Sequence, residues 1–207
     1  MKNGKQPWML LTNLLVISNL FILCGNINGQ QKGTFTDSRD KTTYSWMQIG
    51  KQAWMTGILK YKTTEGSWAY NNDTANVINY GRLYDWNTAS KSCPKGWHLP
   101  TDAEWGKLIA TLGGEDLTGI KLQELDSIHG NFPSTGSGNT KTFSGLLGGI
   151  RHSDGSFAGL GLWGGCWSAT LNNTDATNYL FAQGSKSISK STNDKASAFS
   201  VKCVRNK

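Results

Sequence analysis

The chain has 207 residues, of which 37% are hydrophobic and 17% charged, and a formal net charge of +7. This length predicts one domain, with a core large enough to fold without metals or many disulfides. The basic residues are spread over 51–62, 91–107 and 186–207, too thinly for a nucleic-acid-binding arm, so no nucleic-acid partner is predicted. Weak attraction to an acidic polysaccharide or a membrane surface is the alternative to an ordinary solvated surface.

The first 29 residues have the layout of a secretory signal peptide. Two lysines precede an apolar run at 8–24, and small or polar residues follow up to residue 29. Polar residues interrupt this run, which is short for a membrane span. Cys24 suggests a lipoprotein, but Leu23 stands where a small residue is usual before a lipid-attachment cysteine. We therefore predict cleavage, with secretion or cell-surface exposure and no stable membrane span afterwards; lipid anchoring is the less favoured alternative.

The mature chain is predicted to divide into a polar leader at 30–43 and one domain at 44–207. The leader lacks apolar periodicity. From Tyr44 onward side chains alternate in character up to a turn at Gly50, and 52–61 is apolar again, which predicts an N-terminal hairpin. Residues 65–77 are rich in Asn, Asp, Thr and Gly and read as a loop.

Two short helices are predicted on either side of a rigid loop at 96–100. The first covers 80–92. The second begins after Thr101, because Pro100 disfavours helix at the preceding residue and Glu104 completes a Thr-x-x-Glu capping box. Its apolar side chains recur at helical spacing up to Leu112, and two glycines stop it.

The second half of the chain reads as loops followed by a small sheet. Residues 113–142 are expected to be loop, with about one turn of helix at 119–125. Two glycine-rich apolar segments, 143–150 and 156–162, suggest tight crossings rather than regular elements. The runs predicted as strands of a small antiparallel sheet are 166–170, 179–183, 187–191 and 198–204. The predicted class is therefore α+β, a single domain with two short helices, small antiparallel sheets and long irregular loops.

The mature chain has three cysteines, so at most one intramolecular disulfide can form. Cys93 ends a helical segment and Cys203 lies in the last strand, whereas Cys166 lies in an apolar run and reads as a packed small hydrophobic residue. We predict a Cys93–Cys203 disulfide and a free Cys166.

The order of several motifs resembles the Fibrobacter succinogenes major paralogous domain family. The matching segments are GKQAWM at 50–55, YGRLYDW at 80–86, CPKGWHLPTDAEW at 93–105, 143–151 with DGSF at 154–157, WSAT at 167–170, and FSVKCVR at 199–205. The resemblance implies a secreted or surface-exposed bacterial domain with no established activity, and a C-type-lectin-like arrangement. A weaker likeness to formylglycine-generating enzymes lies in the helix entry at 93–105.

No catalytic, metal or cofactor residues are predicted. The three histidines lie outside any recognisable signature, and His98 is expected to be a structural hydrogen-bonding residue. A formylglycine-type oxidoreductase would use Cys166, but a thiol between aromatic residues lacks the cationic neighbours that stabilise a thiolate. The Asn and Asp clusters around Asp73 and Asp175 read as turns rather than calcium sites.

Three aromatic residues in polar or glycine-rich surroundings are the candidate ligand contacts: Trp68, Tyr70 and Trp163. An exposed ring beside Asn and Asp can stack on a sugar and allow hydrogen bonds to it, whereas a loop tryptophan packed on the core is the commoner arrangement. We therefore hypothesise an exported non-catalytic binding domain for a polysaccharide or a surface protein. The alternatives are a structural component of a surface assembly and the formylglycine-type enzyme; no oligomeric state is predicted.

Overall fold

The computed structural model describes Met1, residues 31–129 and residues 147–206. Most of the predicted signal peptide, including Cys24, therefore lies outside the described residues, as does 130–146. The described chain has an α+β architecture with two sheets, as the sequence predicts. Among the described residues, no helix is long and apolar enough to cross a membrane.

Strands provide most of the regular structure. They are, in chain order, β1 Lys32–Thr36, β2 Thr43–Ile49, β3 Gln52–Met55, β4 Ser67–Trp68, β5 Leu83–Asp85, β6 Gly148–Arg151, β7 Phe157–Leu160, β8 Trp163–Asn172, β9 Asp175–Ala182, β10 Ser189–Asn193, β11 Ala198–Ser200 and β12 Val204–Asn206. The helices are α1 Val77–Tyr80, α2 Trp86–Ser92, α3 Asp102–Thr111 and α4 Glu115–His129.

The smaller sheet joins the two ends of the domain in the antiparallel order β1-β2-β3-β12. The predicted hairpin is confirmed, because β2 and β3 pair from Trp46 with Met55 to Ile49 with Gln52 around a two-residue turn. The last strand returns to this sheet and also bridges the rigid loop, where His98 and Val204 exchange backbone hydrogen bonds of 2.9 Å.

The predicted polar leader at 30–43 contains a strand that its sequence pattern does not indicate. Strand β1 lies there and pairs with β2 over five residues. Phe35 stacks on Trp97 with ring centroids 4.6 Å apart, and the carboxylate of Asp37 is only 2% exposed. One apolar side chain gives no periodic pattern, so only the pairing partner reveals this edge strand.

The larger sheet has the order β10-β9-β8-β6-β11-β5-β4, with β7 paired to β6. The predicted strands of the tail are confirmed, although the last run is two strands, β11 and β12, in different sheets. The described parts of the two glycine-rich segments expected as tight crossings contain strands β6 and β7, which pair antiparallel. Their glycines allow close backbone approach within the sheet rather than breaking it.

The two predicted helices correspond to α2 and α3. Helix α2 begins later than expected, because 83–85 forms strand β5, while α3 has both hydrogen bonds of the predicted capping box. Helix α4 is longer than the one turn expected at 119–125, since it has 15 residues, Glu115–His129, in place of the loop expected around that turn; the rest of the predicted loop, 130–142, lies outside the described residues. Gly119 lies inside α4 where a Cβ would be 2.7 Å from the Lys186 carbonyl oxygen, so glycine marks close packing there and not a loop.

The predicted disulfide is confirmed. Cys93 and Cys203 are bonded, with Cα atoms 5.9 Å apart, and connect the end of α2 to the segment between β11 and β12. They belong to a core cluster centred on large buried side chains that include Tyr84, Trp167 and Phe199. A second cluster lies between the sheets and helices α3 and α4, with Trp54 and Trp105 at its centre.

Candidate functional site

Two of the candidate aromatic residues lie at the β4 edge of the larger sheet. Trp68 is the last residue of β4 and pairs with Leu83 of β5. Tyr70 follows two residues later and begins a 3-10 turn, Tyr70–Asn72. The chain leaves the sheet edge at this point, so both rings remain partly exposed.

A hairpin from a distant part of the sequence completes this region. Arg151 at the end of β6 pairs with Phe157 at the start of β7. The Arg151 guanidinium carbon lies 4.2 Å from the ring centroid of Trp68, and the ring of Tyr70 meets that of Phe157 at 5.3 Å, edge to face. We call these four residues, all partly exposed, the Arg151 cluster.

The ring of Tyr70 lies directly on the backbone of the sheet. A Cβ on Gly149 would be 2.6 Å from Cε2 of Tyr70 and 2.5 Å from the carbonyl oxygen of Ala158, and the φ of Gly149 is +67°. Only glycine accommodates both the close approach and this backbone conformation. The glycine-rich sequence of β6 therefore positions the cluster.

Polar segments flank the cluster on two sides. On the first side, Asn71, Asn72, Asp73 and Thr74 are all exposed. This loop is ordered by its own hydrogen bonds: the Asn76 side chain donates to the carbonyl oxygen of Tyr70 at 3.1 Å, and a carboxylate oxygen of Asp73 accepts from the backbone N–H of Ala75 at 2.9 Å. Amide, hydroxyl and carboxylate groups are thus presented to solvent beside the rings.

The turn between β6 and β7 lies on the second side. A carboxylate oxygen of Asp154 accepts hydrogen bonds from the backbone N–H of Ser156 at 2.8 Å and from its hydroxyl at 2.7 Å. These two bonds lower the pKa of the exposed Asp154 carboxyl, and the charges of His152 and Arg151 act in the same direction. The carboxylate is therefore ionised and occupied within its own turn.

The Arg151 guanidinium has no ion-pair partner within the described chain. No carboxylate oxygen of a described residue lies within 4.0 Å of its nitrogens, and its recorded side-chain contacts are the rings of Trp68 and Phe157. Stacking on an indole covers a face of the guanidinium plane and leaves its in-plane N–H donors uncovered.

The third candidate residue, Trp163, is not part of the cluster. Its ring lies against the backbone of Gly159 and packs on the core cluster around Trp167. It makes no recorded ring contact with Trp68 or Tyr70. The structure thus brings together two of the three aromatic residues that the sequence suggested.

The motif at 93–105 builds a hydrogen-bond network around a buried carboxylate. Glu104 is 6% exposed and accepts hydrogen bonds from the backbone N–H of Thr101 at 2.9 Å and from the side chain of Asn206 at 2.9 Å. Nε2 of His98 lies 2.8 Å from the same carboxylate. Burial alone would raise the pKa of Glu104, but these hydrogen bonds outweigh it and lower the pKa below 4.5. This geometry fits the structural role expected of His98.

Cys166 is completely buried, and it is the free cysteine of the described chain. Burial raises the pKa of its thiol to about 12, against a smaller opposing effect of the Lys202 charge. A thiol in this state is protonated at neutral pH and out of contact with solvent.

The described residues contain no group of three or more His, Cys, Asp or Glu side chains placed to hold a metal ion. Asp73 makes a hydrogen bond within its own turn, and Asp175 begins strand β9. The side chain of Asp73 therefore stabilises its own turn, and Asp175 is part of a strand.

Arg151 and Phe157 are not among the candidate ligand contacts that the sequence predicts. A signal was present, because Asp154-Gly155 between them is typical of a hairpin turn; the loop in the structure has three residues, 153–155, and therefore places Arg151 opposite Phe157. Their proximity to Trp68 has no counterpart in the sequence pattern, since about 80 residues separate the two segments.

The chain matches the Fibrobacter succinogenes major domain over residues 1–205 and therefore belongs to this family. The resemblance seen in the ordered motifs is confirmed. No curated protein and no solved structure matches the chain. Membership identifies the domain without assigning it an activity.

Proposed function

We propose that this chain is an exported, non-catalytic binding domain that recognises carbohydrate at the Arg151 cluster. The observation that carries the proposal is the convergence of three partly exposed rings and a guanidinium between two exposed polar segments. Aromatic faces pack against the apolar faces of sugar rings, while amides, hydroxyls and charged groups hydrogen-bond to the sugar hydroxyls. Both kinds of group are present within one region.

Export is part of the same proposal. The basic, apolar and small-residue order of 1–29 is that of a signal peptide, and a disulfide is the usual companion of an oxidising compartment. A domain secreted or held at the cell surface meets cell-wall and environmental polysaccharides. A C-type-lectin-like scaffold, which the family resemblance suggested, would suit this role.

The burial of Cys166 supports a non-catalytic role over the formylglycine-type alternative. That chemistry requires a thiol that substrate and oxidant can reach, whereas Cys166 is 0% exposed and its pKa is raised to about 12. His98 and Glu104 are likewise occupied by the hydrogen bonds that connect α3 to the C-terminal strand.

A glycan array that includes bacterial cell-wall polysaccharides tests the proposal. We expect the purified mature chain to bind one class of glycan, and Trp68→Ala to abolish binding while circular dichroism and the unfolding midpoint show a folded protein. Trp46→Ala is the matched control, because Trp46 is also partly exposed and stacked against an arginine, Arg205, at 4.6 Å, but lies on the other sheet.

Two results would contradict the proposal. Binding that Trp68→Ala leaves unchanged would place the site elsewhere. A chain that binds no glycan, but is crosslinked on cells to other envelope proteins, would favour the structural alternative.

A further inference from the structure

We infer that the ligand of the Arg151 cluster is an acidic saccharide, whose carboxylate pairs with the guanidinium of Arg151. This inference rests on the proposed carbohydrate-binding function and narrows it to one chemical class. The supporting observation is that the Arg151 side chain lies over an aromatic ring, is partly exposed, and has no carboxylate partner among the described residues.

Contacts with two rings restrict the position of the Arg151 guanidinium. Its central carbon lies 4.2 Å from the centroid of Trp68 and 5.9 Å from that of Phe157, so the side chain is held between two elements of the sheet. A planar fork of N–H donors held in one orientation loses little entropy when a carboxylate binds, and the two can form parallel hydrogen bonds. A neutral sugar accepts from this fork only through uncharged hydroxyl oxygens, which form weaker hydrogen bonds than a carboxylate does.

Arg39 is an arginine that contacts an aromatic ring and also has hydrogen-bond acceptors within the protein. Arg39 lies 3.9 Å from the ring centroid of Tyr61, and it also donates to both carboxylate oxygens of Asp37 and to the carbonyl oxygen of Ser92. Its donors have partners inside the protein. Arg151 has the same stacking without that partner, so its donors are available to a ligand.

The exposed carboxylates near the site restrict the kind of acidic ligand. Asp154 and Asp73 are both exposed, and each accepts hydrogen bonds from its own turn, from Ser156 and Ala75 respectively. Neither carboxylate forms an ion pair with Arg151 within 4.0 Å, although the charge of Arg151 helps to lower the pKa of Asp154, and both negative charges would repel a densely charged chain. A glycan that carries one uronic acid among neutral sugars satisfies Arg151 and keeps its other hydroxyls for the polar loops.

The test compares acidic oligosaccharides with their carboxyl-reduced forms, which keep ring configuration and linkage and lose only the charge. A panel of glycans with alternating uronic and neutral sugars is measured by isothermal titration calorimetry against the mature chain and variants. We expect the acidic form to bind about tenfold or more tightly than its reduced counterpart, the effect of a charge-assisted pair. Arg151→Gln should remove this preference, and Arg151→Lys should restore part of it.

Arg205→Gln is the control for net charge. Arg205 is also partly exposed and stacked, between Trp46 at 4.6 Å and Trp97 at 4.8 Å, but it lies on the smaller sheet, away from the cluster. Its loss should leave the acidic preference unchanged. Equal loss in both arginine variants would overturn the inference, because it would indicate general attraction to a basic surface.

The remaining outcomes separate the inference from the function on which it rests. If acidic and reduced forms bind equally and Trp68→Ala abolishes both, the site binds carbohydrate but the acidic class is wrong. If no member of the panel and no glycan of the array binds, both the inference and the proposed function are contradicted.

Discussion

Glu104 shows how a single buried carboxylate connects the motif at 93–105 to the rest of the domain. It completes the capping box of α3 and contacts His98 of the rigid loop and Asn206 of the last strand. Its hydrogen bonds favour the ionised form in the folded state, so its pKa is below the value of an unfolded chain. Stability from this group is therefore present above the unfolded pKa and is lost as the pH falls through the folded pKa.

Replacing Glu104 with Gln should lower the free energy of unfolding at pH 7 by about 1–3 kcal/mol, because hydrogen bonds to a charged acceptor are lost. The difference between wild type and variant should shrink as the pH falls below 4.5. Urea denaturation from pH 7 to pH 3 measures both quantities. A difference that stays constant over this range would show that the charge of Glu104 contributes nothing.

Cys166 should be unreactive in the folded protein. Because the thiol is fully buried and its pKa is raised to about 12, a maleimide reagent at pH 7.5 should label it only as fast as the protein unfolds. Labelling followed by mass spectrometry across a urea titration should track the unfolding transition. Complete labelling within minutes in native buffer would contradict this burial and would reopen the enzymatic alternative.

At the scale of elements, strand β1 is the clearest departure from the sequence pattern. Its alternate side chains are mostly polar, yet Gly33 lies under the indole of Trp46 and Phe35 stacks on Trp97. The segment before Tyr44 is thus part of the folded domain, and its contribution to stability can be measured.

Phe35→Ala should lower the free energy of unfolding by about 1–3 kcal/mol, because it removes a stacked and partly buried ring. Thr34→Ala, at an exposed position of the same strand, is the control and should change it by less than about 0.5 kcal/mol. Chemical denaturation gives both values. If both variants leave the free energy of unfolding nearly unchanged, residues 30–43 act only as a linker.

Elements with strong local signals could be predicted, and those defined by their partners could not. The capping box at Thr101 fixes the start of α3 from local sequence alone. Helix α4 was predicted as only one turn, because Gly119 and neighbouring polar residues resemble a loop, whereas Gly119 packs closely against 186–187 in the structure. Strands β6 and β7 were missed for a related reason, since glycine lowers strand propensity yet permits the close approach of Tyr70 to Gly149.

For the molecule as a whole, the Cys93–Cys203 disulfide is the long-range covalent constraint of the described chain. It links residues 110 positions apart in sequence. The pairing could be predicted because Cys24 lies in the predicted signal peptide and Cys166 has apolar neighbours, which leaves Cys93 and Cys203. The Arg151 cluster could not, because it depends on contacts of Trp68 and Tyr70 with the β6–β7 hairpin, for which the sequence has no covalent or periodic signal.

Loss of the disulfide should destabilise the whole domain. The chain-entropy model gives roughly 4–5 kcal/mol for a loop of this length, as an upper estimate. A Cys93→Ala, Cys203→Ala double variant should therefore unfold at a much lower denaturant concentration than a Cys166→Ala variant that keeps the bond. Equal midpoints for wild type and double variant would show that the bond does not constrain the unfolded chain as expected.

Carbohydrate binding at the Arg151 cluster is tested most directly by nuclear magnetic resonance. The experiment follows the indole N–H signal of Trp68 and the Nε–H signal of Arg151 during titration with the glycan that binds best on the array. We predict saturable shifts of both signals, with the indole signals of Trp46 and Trp97 unmoved. Saturation of binding without a shift at Trp68 or Arg151, or shifts confined to Trp46 and Trp97, would contradict the claim.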